Sequence, residues 1–324
     1  MTEILQTPKL VTVFGGSGFL GRHVVRALAK RGYRIRVATR RPELAGHLQP
    51  LGNVGQIQAV QANLRVRWSV ERAVHGADHV VNLVGILFES GSQSFSSVQD
   101  EGARVVAEVA QAAGAKLTHV SAIGADAGSE SVYGRTKALG EKAVTETVKD
   151  AVIFRPSIVF GPEDQFFNRF ANMARFSPAL PLIGGGTTRL QPVFVGDVAE
   201  AVARSVDGLV KGGQVYELGG PNVMTFRQAM QQMLEIIDRK RMLVSVPWWL
   251  AYLQGRILGL LPKPLLTTDQ VTLLKSPNVV STEAEAEGRT LAGIGISPQS
   301  TAAILPSYLW RYRVAGQFTH RSEA

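Results

Sequence analysis

Two side chains four residues apart have the types and spacing needed for acid–base chemistry. Tyr133 and Lys137 form the pattern Y-x-x-x-K, and residues four apart share one face of a helix. A lysine ammonium beside a tyrosine phenol stabilises the phenolate, which lets tyrosine donate or accept a proton near neutral pH. The pair therefore predicts a proton donor or acceptor, provided that a helix begins near Tyr133.

A glycine-rich turn near the start of the chain predicts what would bind beside that pair. The sequence GGSGFLG contains Gly15, Gly18 and Gly21 between the apolar run Leu10–Phe14 and an amphipathic segment. In a strand–turn–helix unit, such glycines let the backbone approach a pyrophosphate and pack the helix closely on the strand. The helix N-terminus then directs unpaired N–H groups at the phosphates. We therefore predict a dinucleotide site.

Arginines after the next strand indicate which dinucleotide binds. Arg40 and Arg41 lie at the carboxyl end of the predicted strand Arg34–Pro42, and the first acid, Glu43, follows the proline. A site selective for NAD normally has Asp or Glu there, to accept a hydrogen bond from the ribose 2′-hydroxyl. A guanidinium instead pairs with a 2′-phosphate. We predict NADP(H) rather than NAD(H), with Arg22 as a helper; the alternative is that these arginines are solvated surface charge.

Strands and helices alternate along the first half of the chain. Apolar runs without strict alternation, separated by helices, are typical of a parallel sheet covered on both faces. The predicted fold class is α/β, with a Rossmann-type doubly wound parallel sheet that binds ligands at the carboxyl ends of its strands. The predicted strands are Leu10–Phe14, Arg34–Pro42, Gln56–Ala62, Asp78–Gly85, Lys116–Ala122 and Ala151–Pro156, and helices are predicted over Ser69–His75, Ser97–Ala113 and Tyr133–Val148.

The pattern changes in the second half, where Gly- and Pro-rich stretches alternate with short helices and strands. We expect residues 1–160 to form the dinucleotide-binding domain and residues 161–324 a smaller α/β lobe for substrate or partner, with some segments returning to the main sheet. A short strand is predicted over Gln191–Val195. Asp197 and Thr225 precede apolar helical runs, so each is predicted to cap a helix.

Composition excludes several classes of chemistry. The chain has no cysteine, so disulfides, thiol catalysis and cysteine-held metals are excluded, and its six histidines lack the spacing of metal ligands. The formal charge of +9 is scattered rather than interleaved with aromatic residues, so we expect no nucleic acid partner. An anionic membrane surface or an acidic partner suits such a charge.

The sequence also predicts where the protein resides. No stretch of about 18 residues is free of charges and helix breakers, so no transmembrane span is expected. The first ten residues have neither a signal-peptide core nor an arginine-rich presequence. We expect a cytoplasmic protein, with peripheral contact at the cytoplasmic face of the inner membrane as an option.

Several segments together resemble the extended or atypical short-chain dehydrogenases/reductases. GGSGFLG, NLVG, HVSAIGA, YGRTK, RPSIVFG and PVFVGDVAEA occur in this order up to Ala201. The segments EDQFFNRFANMARF, LQPVFVGDVA and LTTDQV are similar to one branch of that family, the NADPH-binding accessory subunit of respiratory complex I and its bacterial relatives. In that branch the resemblance implies a tightly held NADPH with a structural role, and complex I as the partner.

The resemblance also implies roles for individual residues. Tyr133 and Lys137 match the family's catalytic pair, and Ser121 is a third catalytic candidate at the end of its strand. Tyr133 and Lys137 are also expected to contact the cofactor, with Lys137 at the nicotinamide ribose hydroxyls. The remaining matches concern the cofactor: Gly15, Gly18, Phe19 and Leu20 along the pyrophosphate, Asn63 and Leu64 beside the adenine, Val84 and Gly85 near the nicotinamide-side ribose, and Pro156 and Ile158 beside the nicotinamide.

Two departures from the family pattern bear on activity. Active members carry Ser or Thr two residues after the position of Ser121, where this chain has Ile123, and the family's helix Asn corresponds to Gln99. Loss of a positioned donor typically lowers the rate about a hundredfold or more. We therefore favour a cofactor-holding structural protein over the alternative, an NADPH-dependent reductase or epimerase acting on a quinone-related, isoprenoid or, with less support, sugar substrate.

The segment Trp248–Leu261 is more apolar than one buried helix stripe requires. It has two tryptophans, a tyrosine and many leucines, and is broken only by Gln254 and Arg256. Two interpretations stay open: a helix buried within the smaller lobe, or a surface that docks on a membrane interface or a partner protein.

Overall fold

The computed structural model describes residues 8–261 and 264–314. Most of the N-terminal stretch for which we expect no targeting signal, residues 1–7, lies outside the described residues. The chain forms two compact units. The first contains the chain up to Arg155 together with Val198–Tyr216, and the second contains Pro156–Asp197 together with the chain from Glu217 onward.

The secondary structure follows the predicted alternation in the first half. The strands are β1 (Leu10–Phe14), β2 (Arg34–Thr39), β3 (Ile57–Gln61), β4 (His79–Asn82), β5 (Lys116–Val120), β6 (Val152–Pro156), β7 (Val159–Phe160), β8 (Ala179–Ile183), β9 (Arg189–Leu190), β10 (Val193–Phe194), β11 (Gln214–Leu218), β12 (Met224–Thr225) and β13 (Met242–Val246). The helices are α1 (Phe19–Lys30), α2 (Arg67–Val74), α3 (Glu101–Ala112), α4 (Val132–Thr147), α5 (Phe167–Phe176), α6 (Val195–Asp207), α7 (Phe226–Ile236), α8 (Trp248–Leu258), α9 (Thr268–Leu273), α10 (Thr282–Ala286) and α11 (Thr301–Leu309).

A central sheet organises the first unit. Within the described residues it contains seven strands in the order β3-β2-β1-β4-β5-β6-β11, and the neighbouring pairs from β3 to β6 are parallel. This order is typical of Rossmann sheets, in which the connection reverses direction between β1 and β4. The predicted fold class is therefore confirmed, and ligands are expected at the carboxyl ends of β1 and β4.

Both faces of this sheet are covered, as its uninterrupted apolar strands require. Leu117 of β5 packs in a buried cluster with side chains of α2, α3 and α4. The next residue, Thr118, points to the opposite face because side chains alternate along a strand. There its Oγ1 lies 2.8 Å from Oγ of Ser205, on α6.

The second unit has two small cores of its own. Side chains of α5, α7, α11 and β8 form one of them, which includes the fully buried Phe167, Leu182 and Met233. A short parallel pair, β8 with β13, aligns Ala179 with Met242 and lies beside the second core, which α8 and α9 complete.

One of the two predicted helix caps is wrong. Thr225 caps α7 in a reciprocal capping box with Gln228, as expected. By contrast, the predicted strand before Asp197 is shorter, because α6 already begins at Val195 and places Asp197 inside its first turn. The Asp197 carboxylate instead accepts the backbone N–H of Gln299 at 2.7 Å, so a tertiary contact takes the place of a local cap.

None of the helices in the described part of the chain is long and apolar enough to cross a membrane.

Candidate functional site

A cleft of about 400 Å³ opens at the carboxyl ends of β1 and β4, where the sheet order reverses. The glycine turn after β1 forms one wall and the segment after β4 forms the other. Ten of the residues predicted from sequence line it: Gly15, Gly18, Phe19, Leu20, Gly21, Arg40, Asn63, Leu64, Val84 and Gly85. Their roles as cofactor ligands are proposals that the geometry allows.

Two glycines of the turn are required by its geometry. Gly15 has a φ of +79°, a conformation that other residues rarely adopt, and a Cβ there would lie 3.3 Å from the Leu83 carbonyl carbon. Gly21 lies in the first turn of α1, and its Cβ would lie 2.2 Å from the Gly15 carbonyl oxygen. The absence of both side chains therefore brings the N-terminus of α1 and the end of β4 against the turn.

The arginines predicted to read a 2′-phosphate lie in different places. Arg40 directly follows β2 and its exposed side chain lines the cleft. Arg41 is also exposed but is not part of the described cleft wall, and Arg22 is half-buried in the first turn of α1. Thr39 links the end of β2 to the glycine turn, because its Oγ1 accepts a hydrogen bond from the Ser17 hydroxyl at 3.3 Å.

The loop after β3 forms the end of the cleft at which the adenine is expected. Asn63 and Leu64 line it, together with Arg65. The Asn63 side-chain oxygen accepts the Arg65 N–H at 3.2 Å, and the Asn63 N–H donates to Ser69 Oγ at 3.0 Å. The loop is therefore fixed by local bonds, and the Asn63 oxygen keeps a second lone pair for a ligand amino group.

The Lys137 ammonium lies beside the cleft, next to Gly85 of the cleft wall. A Cβ on Gly85 would lie 3.2 Å from Lys137 Nζ, so a larger residue would press on the ammonium. Lys137 is only 4% exposed, and its Nζ donates to the Val120 carbonyl at 3.3 Å. The lysine of the predicted pair therefore lies directly behind the cleft wall, beside the expected nicotinamide-side ribose.

Burial changes the acid strength of Lys137. Desolvation lowers the pKa of its ammonium from about 10.5 to about 8, and the nearby Glu141 carboxylate opposes this only in part. Glu141 is itself engaged by Arg155 in a two-point ion pair, with N–O distances of 2.9 and 2.6 Å. Lys137 is therefore able to exchange its proton close to neutral pH.

A buried histidine lies next to this lysine. His119, on β5, is kept neutral because burial and the Lys137 charge lower its pKa to about 3. The side-chain oxygen of Asn82 accepts the Val84 N–H, so its amide nitrogen faces His119 Nδ1 at 3.2 Å. His119 therefore makes a polar contact inside the sheet, at 1% exposure.

Three buried polar atoms near the carboxyl ends of β4 and β5 have no hydrogen-bond partner among the described residues. They are Ser121 Oγ, Gln99 Oε1 and His119 Nε2. Buried polar atoms are nearly always paired, so unpaired ones concentrated in one region are typical of a site that receives a ligand. The glycine turn and these atoms fit a dinucleotide whose nicotinamide end lies toward β5.

The other residues predicted for the nicotinamide end of the site lie on α4, after β5 and in the second unit. Tyr133 lies in the first turn of α4, one helical turn before Lys137, and its ring packs edge-on against Phe95 with centroids 5.9 Å apart. Ile123 is buried at 8% exposure and brings no hydroxyl group. Pro156 ends β6, and the Ile158 N–H donates to Asn278 Oδ1 within the second unit.

Sequence reasoning missed several cleft residues. Ser17 and Thr39 lie next to residues that were identified, so their positions in the glycine turn and at the end of β2 were available signals. Arg65 and Gln93 come from loops without a recognisable pattern. Among the described residues, no group of acidic or histidine side chains could hold a metal ion.

Comparisons with known proteins agree with this geometry. The model of the NAD dependent epimerase/dehydratase family matches residues 11–219. Solved structures give the same fold at low identity. The NADPH-dependent quinone oxidoreductase QOR2 of Escherichia coli, complexed with NADPH, has a TM-score of 0.72 at 20% identity, covering 93% of this chain and 99% of that one. The dTDP-glucose 4,6-dehydratase DesIV of Streptomyces venezuelae, with NAD bound, has a TM-score of 0.71 at 21% identity, covering 94% and 96%.

Curated relatives are more similar in sequence and fall into two kinds. NADH dehydrogenase (ubiquinone) 1 alpha subcomplex subunit 9, mitochondrial, of Arabidopsis thaliana is 32% identical over 320 residues, covering 95% of this chain and 79% of that protein. The ceramide reductase of Caulobacter vibrioides is 33% identical over 242 residues, covering 74% of each. The chain therefore belongs to the NAD dependent epimerase/dehydratase family, in which it is homologous both to complex I subunits and to a ceramide reductase.

Proposed function

We propose that the first unit holds NADP(H) and that the protein serves as a structural or assembly component of respiratory complex I. The observation that carries the cofactor assignment is the cleft between the glycine turn and the end of β4, with the Arg40 guanidinium at its rim. No carboxylate lines the described cleft wall, so nothing there repels a 2′-phosphate. Arg40 is the proposed anchor of that phosphate.

Replacing either arginine tests this cofactor preference. Arg40→Asp removes a charge-assisted bond and adds repulsion, so NADPH affinity should fall about 30- to 100-fold while NADH affinity changes little. Arg41→Asp is the matched control, because it makes the same charge change on an exposed neighbour outside the cleft wall. Titration of the purified variants with both nucleotides measures this. Equal losses for NADPH and NADH would refute the assignment.

Two observations support a structural role over turnover. The relatives named as complex I subunits align with about nine-tenths of this chain at 31–32% identity. The buried Ile123 occupies the position where active family members have a hydroxyl donor. A tightly bound cofactor can stabilise a fold without reacting, since a ligand that binds only the native state adds RT ln(1 + [L]/Kd) to its stability.

Native fractionation of gently solubilised membranes tests the complex I role. We expect this protein to migrate in one large assembly with NADH dehydrogenase activity. Migration as a small free protein, with an intact complex I elsewhere in the gradient, would refute the role. Peripheral membrane association follows from the same proposal, because complex I is a membrane assembly.

The residues at the nicotinamide end of the site favour a second function, that of a reductase. Tyr133 and Lys137 are both present, and the low pKa of Lys137 suits a group that supports proton transfer. In this alternative the protein is a reductase: bound NADPH would supply a hydride, and Tyr133 would donate a proton to the substrate carbonyl oxygen. The ceramide reductase relative adds lipid carbonyl compounds to the quinone-related, isoprenoid and sugar substrates considered above.

Tyr133→Phe separates the two functions. It removes one hydroxyl and keeps the ring that packs on Phe95, so assembly should be unchanged and NADPH affinity should fall by no more than about tenfold. If the protein is a reductase, the variant should lose its activity in cells about a hundredfold or more. An unchanged phenotype would refute the reductase and support the structural role.

A further inference from the structure

The outer face of α8 is apolar although it is exposed. Its side chains recur at spacings of three or four residues, continue into the turn that follows, and lie outside the small core beneath the helix. Their exposed fractions are 69% for Trp249, 50% for Leu253, 61% for Ile257 and 87% for Leu260. A helix that is apolar on both sides is normally buried all round, so this face is suited to an apolar partner.

Contacts on the inner face of α8 prevent the helix from rotating about its axis. Ala251 and Gly255 are buried, and a Cβ on Gly255 would lie only 3.0 Å from the backbone at Thr267 and Thr268. Small residues therefore seat α8 closely against the start of α9. Tyr252 Oη and Thr272 Oγ1 lie 2.9 Å apart and link the two helices. The apolar outer face cannot be buried by rotating the helix without breaking this contact.

The sequence that contains α8 is basic over a long stretch, and the next acid is Asp269, in the first turn of α9. Residues 239–268 contain five basic residues and no acidic residue. Lys240 and Arg256 are exposed, and Arg256 lies between Leu253 and Ile257, beside the apolar face. Lysine and arginine next to an apolar helix face, with tryptophan at its start, are the pattern of helices that lie in the interface of an anionic bilayer.

We propose that the face formed by Trp249, Leu253, Ile257 and Leu260 docks on a lipid bilayer that carries anionic headgroups. The face extends about 16 Å along the helix axis, at 1.5 Å per residue, so it lies in the membrane plane rather than across it. Its apolar side chains enter the acyl boundary, while Arg256, on the same helix, reaches the phosphates. This proposal deepens the membrane association proposed above, since it assigns that association to lipid rather than to complex I alone.

Flotation with lipid vesicles tests this docking without complex I. The purified full-length protein is mixed with vesicles of phosphatidylcholine alone or of equal parts phosphatidylcholine and phosphatidylglycerol. We expect binding to the anionic vesicles and much weaker binding to the neutral ones. The double variant Trp249→Ser, Ile257→Ser should bind the anionic vesicles roughly 30-fold more weakly. Arg256→Gln should lower the affinity roughly fivefold.

A matched control excludes general effects of removing exposed apolar groups. Trp68 and Leu209 are 61% and 71% exposed in the first unit, so Trp68→Ser with Leu209→Ser should leave vesicle binding unchanged. All the replaced side chains are at the surface, so the variants should keep the melting temperature of the wild type; this is measured first.

Three results would overturn the bilayer contact. The first is that the wild type fails to float with anionic vesicles. The second is that both double variants with serine bind equally well. The third is that the Trp249, Ile257 variant converts a dimer into a monomer in sedimentation, which would identify a second copy of the chain as the occupant. Each of these leaves co-migration with complex I intact, so it is distinguishable from failure of the proposed function.

Discussion

Gly21→Ala provides a quantitative test of the glycine turn. A Cβ at this position would lie 2.2 Å from the Gly15 carbonyl oxygen and 2.6 Å from the Gly16 backbone. Ordinary carbon contacts begin near 3.4 Å, so α1 would have to move away from the turn by about 1 Å. Overpacking typically destabilises by 1–3 kcal/mol, and the upper end applies because the obstacle is backbone rather than a flexible side chain.

The helical position of Gly21 opposes part of this loss. Alanine is favoured over glycine in a helix by about 1 kcal/mol, so the net destabilisation should be about 2 kcal/mol. Because the helix N-terminus moves as well, NADPH affinity should also fall, by roughly tenfold. Urea unfolding and nucleotide titration of the same preparation measure the two effects.

Gly46→Ala is the matched control. No described atom lies within 4 Å of a Cβ built on Gly46, so alanine there should leave the stability unchanged or slightly higher and the NADPH affinity unchanged. If Gly21→Ala proves as stable as the wild type and binds NADPH equally well, the close packing of α1 on the turn is not what the glycine provides. The reasoning from the 2.2 Å approach would then be wrong.

Three further substitutions test the buried polar groups. Relative to Lys137→Met, the wild type should gain stability as the pH rises from about 8 to 10.5, because the unfolded chain holds the proton over that range and the native lysine does not. Relative to His79→Gln, it should lose stability as the pH falls from 6.5 to about 4, since burial lowers the pKa of His79 to about 4. Tyr308→Phe should destabilise by about 1–3 kcal/mol, because it leaves the buried Asp164 carboxylate without the hydroxyl 2.6 Å away. Chemical unfolding measured across pH checks all three, and flat pH differences or an unchanged Tyr308→Phe midpoint would contradict them.

Local sequence patterns were sufficient to predict the strands and helices in the first half of the chain. The predicted strand Leu10–Phe14 coincides with β1, and the helix predicted from Tyr133 begins one residue earlier, after the capping Ser131. These elements are specified by neighbours in sequence: a buried run between turn residues, or a cap before an apolar stripe. The glycine turn could be placed for the same reason, and the cleft residues next to it followed.

Elements that depend on distant partners were not predictable in this way. The stretch Pro178–Thr188 is rich in glycine and proline, yet it contains β8, which exists because β13 pairs with it some sixty residues later. Asp197 has the local pattern of a helix cap, but the N–H of Gln299, about a hundred residues on, takes its carboxylate. In each case a long-range hydrogen bond outweighs the local propensity.

The direction of an apolar surface also depends on tertiary contacts. The sequence of α8 left a buried helix and a docking surface equally open, because both call for tryptophan and leucine. The choice depends on Gly255, whose close approach to the start of α9 turns the opposite side of the helix outward. No periodicity within α8 contains that information.

In the proposed functions, cofactor binding and turnover depend on largely different residues, and this decides which substitution is informative. The cleft wall is formed largely by backbone and apolar groups of the glycine turn and the loops after β3 and β4. Proton transfer would need side chains from β5 and α4, where Ile123 already replaces a donor. Lys137 belongs to both, since its ammonium packs against Gly85 of the cleft wall, so its presence is expected even in a protein that only holds NADPH. Tyr133→Phe removes only a hydroxyl and keeps the ring that packs on Phe95, so it is the substitution that tests turnover most directly.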